Sequence, residues 1–333
     1  MAARVVLHVG LMKSGTSFLQ RVLRHNQDLL REQGVLFPSP WKRQVQAVKD
    51  VAADGTGAWP TLVEEIRDWP GTAVVSMEFL GPRGPAKVRR IVDDLAPADV
   101  EVVITVRDLA RTIPAMWQET LQNRGIRTWA EYLAGVEAED RSSPGPGRAF
   151  WTRQDAPGIT ETWQGAVGRD RVTVLTVPPP GSPPDLLWER FAALVPIEGT
   201  VDLDVSGNPS LGLASLLVLR ELNLRIDADD DPLTPRQYER IVKQLLAKRG
   251  LAGLPDDPRL GYDAAWVAAR GERDIERLRA LGPRVAGNLD ELRCVPVPGV
   301  SPADVTVEQQ LAASLSALTH AVTVLARRTA SDE

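Results

Sequence analysis

The 333-residue chain predicts a three-layer α/β fold, with a central parallel sheet between helices, followed by a helical C-terminal portion. Three observations predict it. Short apolar runs alternate with stretches of helical spacing, the pattern of strands buried on both faces of a parallel sheet. The first run passes through a glycine-bearing turn straight into a helix. After Val201 the strand runs stop and helical spacing continues alone.

The first strand is Val5-Val6-Leu7-His8-Val9, ending at Gly10. Helical spacing takes over from Thr16, and Phe18, Leu19, Val22, Leu23, Leu29 and Leu30 predict one helix from about Gly15 to Glu32, with Gly34 as its stop. Pro38, Pro40 and Trp41 mark a loop before helical stretches near Gln44 to Ala53 and Thr61 to Asp68. A second strand covers Thr72 to Glu78, and Val88, Ile91, Val92 and Leu95 give the next helix its apolar face. A third strand, Val100 to Val106, stops at Arg107-Asp108. Residues 108–135 read as two helices broken near Gly125, and 141–148 as a flexible loop that could form a lid. Ile159 to Val167 is helical and leads to a fourth strand, Arg171 to Val177, then a proline-rich connector and a helix at Asp185 to Leu194. Beyond it come helices at Ser210 to Leu224, Thr234 to Arg249 (Thr234 as N-cap, Pro235 at N1), Tyr262 to Leu281 and Val305 to Arg328. The expected organisation is an α/β core over residues 1–205 and a helical portion over 206–333 packed on it.

Composition narrows the classes. A net charge of −5 argues against a protein whose main task is gripping nucleic acid. One cysteine, Cys294, excludes a disulfide framework within the chain and cysteine-cluster metal sites. Three scattered histidines (His8, His25, His320) disfavour a histidine zinc site. The acidic run Asp227 to Asp231 lacks the glycine and terminal glutamate of a calcium loop and reads as a solvated turn. No apolar run reaches a membrane-spanning length of about 20 residues, and the chain enters its first strand at once. A cytoplasmic enzyme without metal is the expectation.

The chemistry converges on three strand ends, where ligands of parallel sheets bind. At the first, Gly10 and Gly15 have the glycine spacing of a Walker A loop, but the lysine that should follow the second glycine is replaced by Thr16, with Ser17 next. Lys13 instead precedes Gly15 by two residues. A lysine there reaches the junction between a proximal phosphate and the group bonded to it, which disfavours an ordinary ATPase. At the second lies Glu78, and at the third Arg107, whose planar fork can hold two phosphate oxygens.

Lys13-Ser14-Gly15-Thr16-Ser17, flanked by Leu7-His8-Val9-Gly10 and Phe18-Leu19-Gln20, resembles the corresponding loop of the sulfotransferases that use 3′-phosphoadenosine 5′-phosphosulfate (PAPS), the bacterial branch in particular. The resemblance implies a P-loop-like fold. It implies that Lys13, Ser14, Gly15, Thr16 and Ser17 cradle the 5′-phosphate, and that Lys13 also neutralises the bridging oxygen as the sulfuryl group leaves. It gives Arg107 the 3′-phosphate. In Ser76-Met77-Glu78-Phe79-Leu80 it implies that Glu78 is the general base for a hydroxyl or amine of a small-molecule or carbohydrate acceptor. The chain departs from the family in one place: the serine expected eight residues after Arg107 is Ala115, which removes a hydrogen bond worth about 1 kcal/mol and leaves Thr112 or Gln118 to compensate. The family's Arg-Lys-Gly loop is not evident, Ala269-Arg270-Gly271 being only a faint echo. Asn208-Pro209-Ser210-Leu211-Gly212, Phe150-Trp151 and Trp163 continue the likeness weakly. His8, inside its strand, reads as a core histidine rather than as a base.

Two other readings stand beside this one. A P-loop-like kinase or nucleotide hydrolase would use ATP and magnesium, with Glu78 as the metal's acidic ligand. A catalytically silent nucleotide-binding scaffold is favoured only by Ala115. Neither the acceptor nor the oligomeric state is legible.

Overall fold

The computed structural model describes residues 2–55, 57–205, 207, 210–255 and 257–329. Its centre is a six-stranded, all-parallel sheet in the order β2-β3-β1-β4-β5-β6. In chain order the elements are β1 (Arg4–His8), α1 (Thr16–His25), α2 (Gln27–Glu32), β2 (Val35–Leu36), α3 (Trp41–Ala52), α4 (Ala58–Asp68), β3 (Thr72–Ser76), α5 (Pro85–Asp94) and β4 (Asp99–Val106). There follow α6 (Leu109–Gln122), α7 (Trp129–Glu137), α8 (Pro146–Gln154), α9 (Ala156–Val167), β5 (Val172–Thr176), α10 (Leu186–Ala192) and α11 (Leu213–Asp227). The chain ends with α12 (Pro235–Tyr238), which continues as a π-helix over Glu239–Leu251, then α13 (Ala265–Leu281), β6 (Arg284–Ala286) and α14 (Val307–Thr329).

The sheet is apolar on both faces because both are covered. Val5 and Leu7 of β1 pack with Val48, Leu62, Ile91, Trp163 and Ile275, which come from α3, α4, α5, α9 and α13. Val6, between them, packs with Leu19, Val22 and Leu23 of α1, Leu30 of α2 and Phe191 of α10. Alternate residues of one strand thus feed two helical layers, and the three-layer α/β architecture follows.

The described residues form two compact units that interleave in sequence. One comprises Met1–Thr112, Ala149–Val205 and Trp266–Cys294; the other comprises Ile113–Arg148, Ser206–Ala265 and Val295–Glu333. The first holds the sheet. Residues 266–294, which the sequence reading assigns to the C-terminal portion, belong to it because β6 extends the sheet beside β5. In the second unit, Asn223 donates to the carbonyls of Leu121 and Gly125 at 2.8 Å each and accepts from Tyr238 Oη at 2.6 Å, fixing the turn after α6. Trp129 packs against Trp117 and Tyr262 in the same unit. No helix among the described residues is long and apolar enough to cross a membrane.

Other departures from the sequence reading are local. The helix expected over Gly15 to Glu32 is two helices, broken at Asn26, whose amide donates to the Val22 carbonyl at 2.9 Å and the Asp202 carbonyl at 2.8 Å. The 141–148 loop is shorter than expected because α8 starts at Pro146, and Ser142 and Ser143 fold back on Asp140. Of the Asn208-Pro209-Ser210-Leu211-Gly212 segment, Asn208 and Pro209 lie outside the described residues. Asp227 to Asp231 are exposed, as a solvated turn requires.

Leu23 is fully buried between α1 and the sheet. Leu23→Ala should therefore cost about 2–5 kcal/mol of stability, read as a lower urea midpoint at unchanged m-value.

Candidate active site

The site is assembled by strand order. β1 lies between β3 and β4, so the segments that follow these three strands emerge side by side at one edge. The chain passes from β1 to one side and returns on the other, which makes this the switch point of the sheet. Lys13 follows β1, Glu78 follows β3 and Arg107 follows β4. The three predicted strand ends are therefore neighbours.

The turn after β1 is clasped to β4. Leu11 N donates to the Thr105 carbonyl at 2.7 Å, while Thr105 N and Oγ1 both donate to the Gly10 carbonyl, at 2.5 and 2.8 Å. Thr16 Oγ1 reaches back to the Leu11 carbonyl at 2.8 Å, and Gln154 of α8 donates to the Met12 carbonyl at 2.9 Å. Lys13 (φ 61°) and Gly15 (φ 79°) both take left-handed backbone. At Gly15 a side chain would also collide with Leu187. Gly15 is the N-cap of α1 and has no side chain to give, so the first-turn N–H groups, those of Thr16 and Ser17 among them, face outward with the positive end of the helix dipole. Such a turn suits a phosphate or sulfate.

Glu78 is half-buried on the turn after β3. Gln20 of α1 orients it: the amide nitrogen donates both to Glu78 Oε2 and to the Ser76 carbonyl, at 3.0 Å each. Gly10 allows the close approach, since a Cβ there would sit 3.1 Å from Glu78 Cα and Cβ. Gln20 is 7% exposed. The sequence reading takes it only as part of the motif, although a polar residue one turn after Thr16, on the buried face of α1, was the available signal.

Among the described residues Arg107 forms no ion pair with a carboxylate. Its sequence neighbour Asp108 is taken by Arg111, through the backbone N at 2.9 Å and through Nε. Among the described residues the Arg107 guanidinium reaches only the Lys13 carbonyl, at 3.4 Å, and its Nε is buried without a partner. Burial, with the nearby Arg111 charge, lowers its pKa to about 10, Asp108 opposing; it is still cationic at neutral pH. Thr112, one candidate to replace the missing serine, donates to the Arg107 carbonyl at 3.5 Å. Beside Arg107 a cavity of about 20 Å³, lined by Leu11, Asp108, Gln154 and Asp274 among others, has room for one water. Arg83, after Glu78, is partly desolvated and faces the like charge of Arg153, both effects lowering its pKa.

Three sequence candidates resolve differently. His8 is fully buried: Nδ1 lies 2.8 Å from Ser76 Oγ and Nε2 3.1 Å from Thr105 Oγ1. Because Thr105 gives its own proton to Gly10, the network assigns the neutral Nε2–H tautomer, with Nδ1 accepting from Ser76. Burial lowers the His8 pKa to about 3. It braces the ends of three strands. Arg270 and Gly271 lie inside α13 rather than in a loop; Arg270 pairs with Asp274 at 2.9 Å and stacks on Trp151 at 3.8 Å. Cys294 is a half-buried thiol pushed up to about 11 by burial. Among the described residues no group of three or more His, Cys, Asp or Glu could hold a metal ion.

No family model matches the chain, and no curated protein matches it. Among solved structures it resembles a sulfotransferase from Alicyclobacillus acidocaldarius, at 17% identity and a TM-score of 0.44, over 63% of this chain and 88% of that one. A likeness this loose carries no residue's role across.

The buried neutral histidine fixes a pH dependence. The unfolded chain protonates His8 near its ordinary pKa of 6.5 and the folded chain only near 3, so the unfolded state binds the extra proton between these values. Relative to His8→Gln, the native protein should lose up to about 1.4 kcal/mol per pH unit as pH falls through that window. Denaturant titrations of both proteins across it measure the difference, and parallel curves would refute the neutral assignment.

Proposed function

We propose that the chain is a sulfotransferase that moves the sulfuryl group of PAPS to a hydroxyl or amine of a small-molecule or carbohydrate acceptor. The observation that carries this reading is Arg107: a half-buried arginine whose Nε is buried without a partner, its adjacent carboxylate taken by Arg111, beside a lysine-bearing turn that suits an anion. The arrangement fits a donor with phosphates at two places. The turn of Lys13, Ser14, Gly15, Thr16 and Ser17 would hold the 5′-phosphate, and Arg107 the 3′-phosphate. The donor supplies an activated sulfuryl group on a phosphate leaving group.

Glu78 acts as general base in this reading. It accepts the acceptor's proton as the new S–O or S–N bond forms and the bond to the bridging oxygen breaks. Lys13 neutralises the charge that appears on that oxygen. Such transfers ask for positioning, charge neutralisation and a base, and the protein's own cations supply the neutralisation. Gln20 holds one carboxylate oxygen of Glu78 and so leaves the other for the acceptor.

Titration calorimetry separates the readings. The expected result is tight binding of 3′,5′-ADP, far weaker binding of ATP and no effect of magnesium, with Arg107→Ala abolishing the preference; tight magnesium-dependent ATP binding would instead identify a P-loop-like kinase or hydrolase. Glu78→Gln should lower kcat by about 10²–10⁴-fold in a coupled sulfuryl-transfer assay and leave 3′,5′-ADP binding intact. Gln20→Leu should lower kcat less and leave 3′,5′-ADP binding intact, whereas Gln20→Glu should weaken donor binding by adding a second negative charge.

A further inference from the structure

α14 is apolar on two opposite faces. On one, Ala313 is buried and Ala317, His320 and Val324 are half-buried where α14 packs against α11 and the π-helix Glu239–Leu251 of the same unit. Gly250 permits that approach, since a Cβ there would lie 3.3 Å from His320 Cβ. On the other face Val307, Leu311, Leu315, Leu318, Val322 and Leu325 are 54–76% exposed. From Leu311 to Leu325 the steps are four, three, four and three residues, the 3.5-residue seam of a coiled coil. A helix that only packed on its own unit would need the first face and not the second.

We propose that this second face pairs with α14 of a second copy of the chain, antiparallel, about a two-fold axis near Leu318. Leu311 and Leu325 lie seven residues to either side of Leu318, so antiparallel copies bring each against the other, as a two-fold interface requires. Charge selects the direction. The first turn carries Glu308, the last turn carries Arg327, and no Asp, Glu, Lys or Arg lies between. Antiparallel copies set each acidic end against a basic end; parallel copies set like against like. The uncharged residues beside the seam, Ala312, Ser314, Thr319 and Ala321, let two helices approach closely. They also lack the lysines and arginines that draw an amphipathic helix to an anionic membrane.

The size of the seam sets the strength. Val307 to Leu325 spans about 27 Å of helix, and a stripe of that length is comparable to the largest apolar patches of monomers, about 300–600 Å². Two such stripes reach only the low end of specific interfaces. The dimer is therefore weak and concentration-dependent.

Sedimentation velocity of the full chain from low micromolar to submillimolar concentration tests this, and it does so independently of any catalytic role. The expected result is a monomer–dimer equilibrium whose dissociation constant rises at least tenfold in Leu315→Glu/Leu318→Glu, with circular dichroism unchanged. In a Cys294→Ser background, Leu318→Cys should cross-link to itself. Leu311→Cys should do so only when mixed with Leu325→Cys. A monomer at every concentration, a dimer indifferent to the glutamates, self-cross-linking of Leu311→Cys, or binding to anionic vesicles in place of self-association would each overturn the proposal.

Discussion

The Gly10 carbonyl is the point on which the candidate site depends. It accepts from both the backbone and the side chain of Thr105, and the next residue, Leu11, returns a bond to Thr105. The clasp extends the β1–β4 pairing past the end of β1. It means that the turn carrying Lys13 cannot shift without disturbing the strand that ends in Arg107. His8 completes the brace: it links Ser76 at the end of β3 to the same Thr105, so all three site-bearing strands are cross-tied one layer beneath the anion cradle. Its neutrality matters here, because a protonated ring would have two donors and could no longer accept from Ser76.

Charge is distributed against the chain's overall sign. The protein is net negative, yet the edge of the sheet beyond β1, β3 and β4 gathers Lys13, Arg83, Arg107 and Arg111. Arg111 matters more than its distance from the turn suggests. By capturing Asp108 it leaves Arg107 desolvated and only partly offset by that carboxylate, a costly arrangement. An anion placed against Arg107 would offset that cost, which is why the proposed reading gives this arginine a phosphate of the donor. The same reasoning explains why Ala115 need not be fatal under the proposed reading: a neutral hydroxyl contributes about 1 kcal/mol, less than a charge-assisted pair in a half-buried place.

Much of this was legible in the sequence, and the failures have physical causes. β1, β3, β4 and β5 are buried on both faces, so their apolar runs announce them. β2 has two residues and β6 three, and β6 is largely exposed at the sheet edge; strands so short hold no period. The break at Asn26 was hidden because Leu29 and Leu30 keep the apolar spacing while one side-chain amide redirects the backbone. Lys13, Glu78 and Arg107 could be placed at strand ends, and strand order then makes them neighbours. What no linear reading supplies is partner choice: that Asp108 turns to Arg111 rather than to Arg107, and that Gln20 turns to Glu78.

A carboxylate beside the proposed anion cradle is an apparent contradiction, and Gln20 offers this chain a way to manage it. A lysine or arginine in its place would neutralise Glu78 and remove it as the proposed base. An apolar residue would leave Glu78 Oε2 without the amide donor that orients it. An amide avoids both. Its N–H groups hold one oxygen of Glu78 and the Ser76 carbonyl together, which fixes the direction of the side chain without cancelling its charge. Because Gln20 sits one turn beyond Thr16 on α1, the helix whose N-terminus faces the proposed donor also sets the base that would serve the acceptor. The two halves of the proposed reaction are thereby positioned by one rigid element.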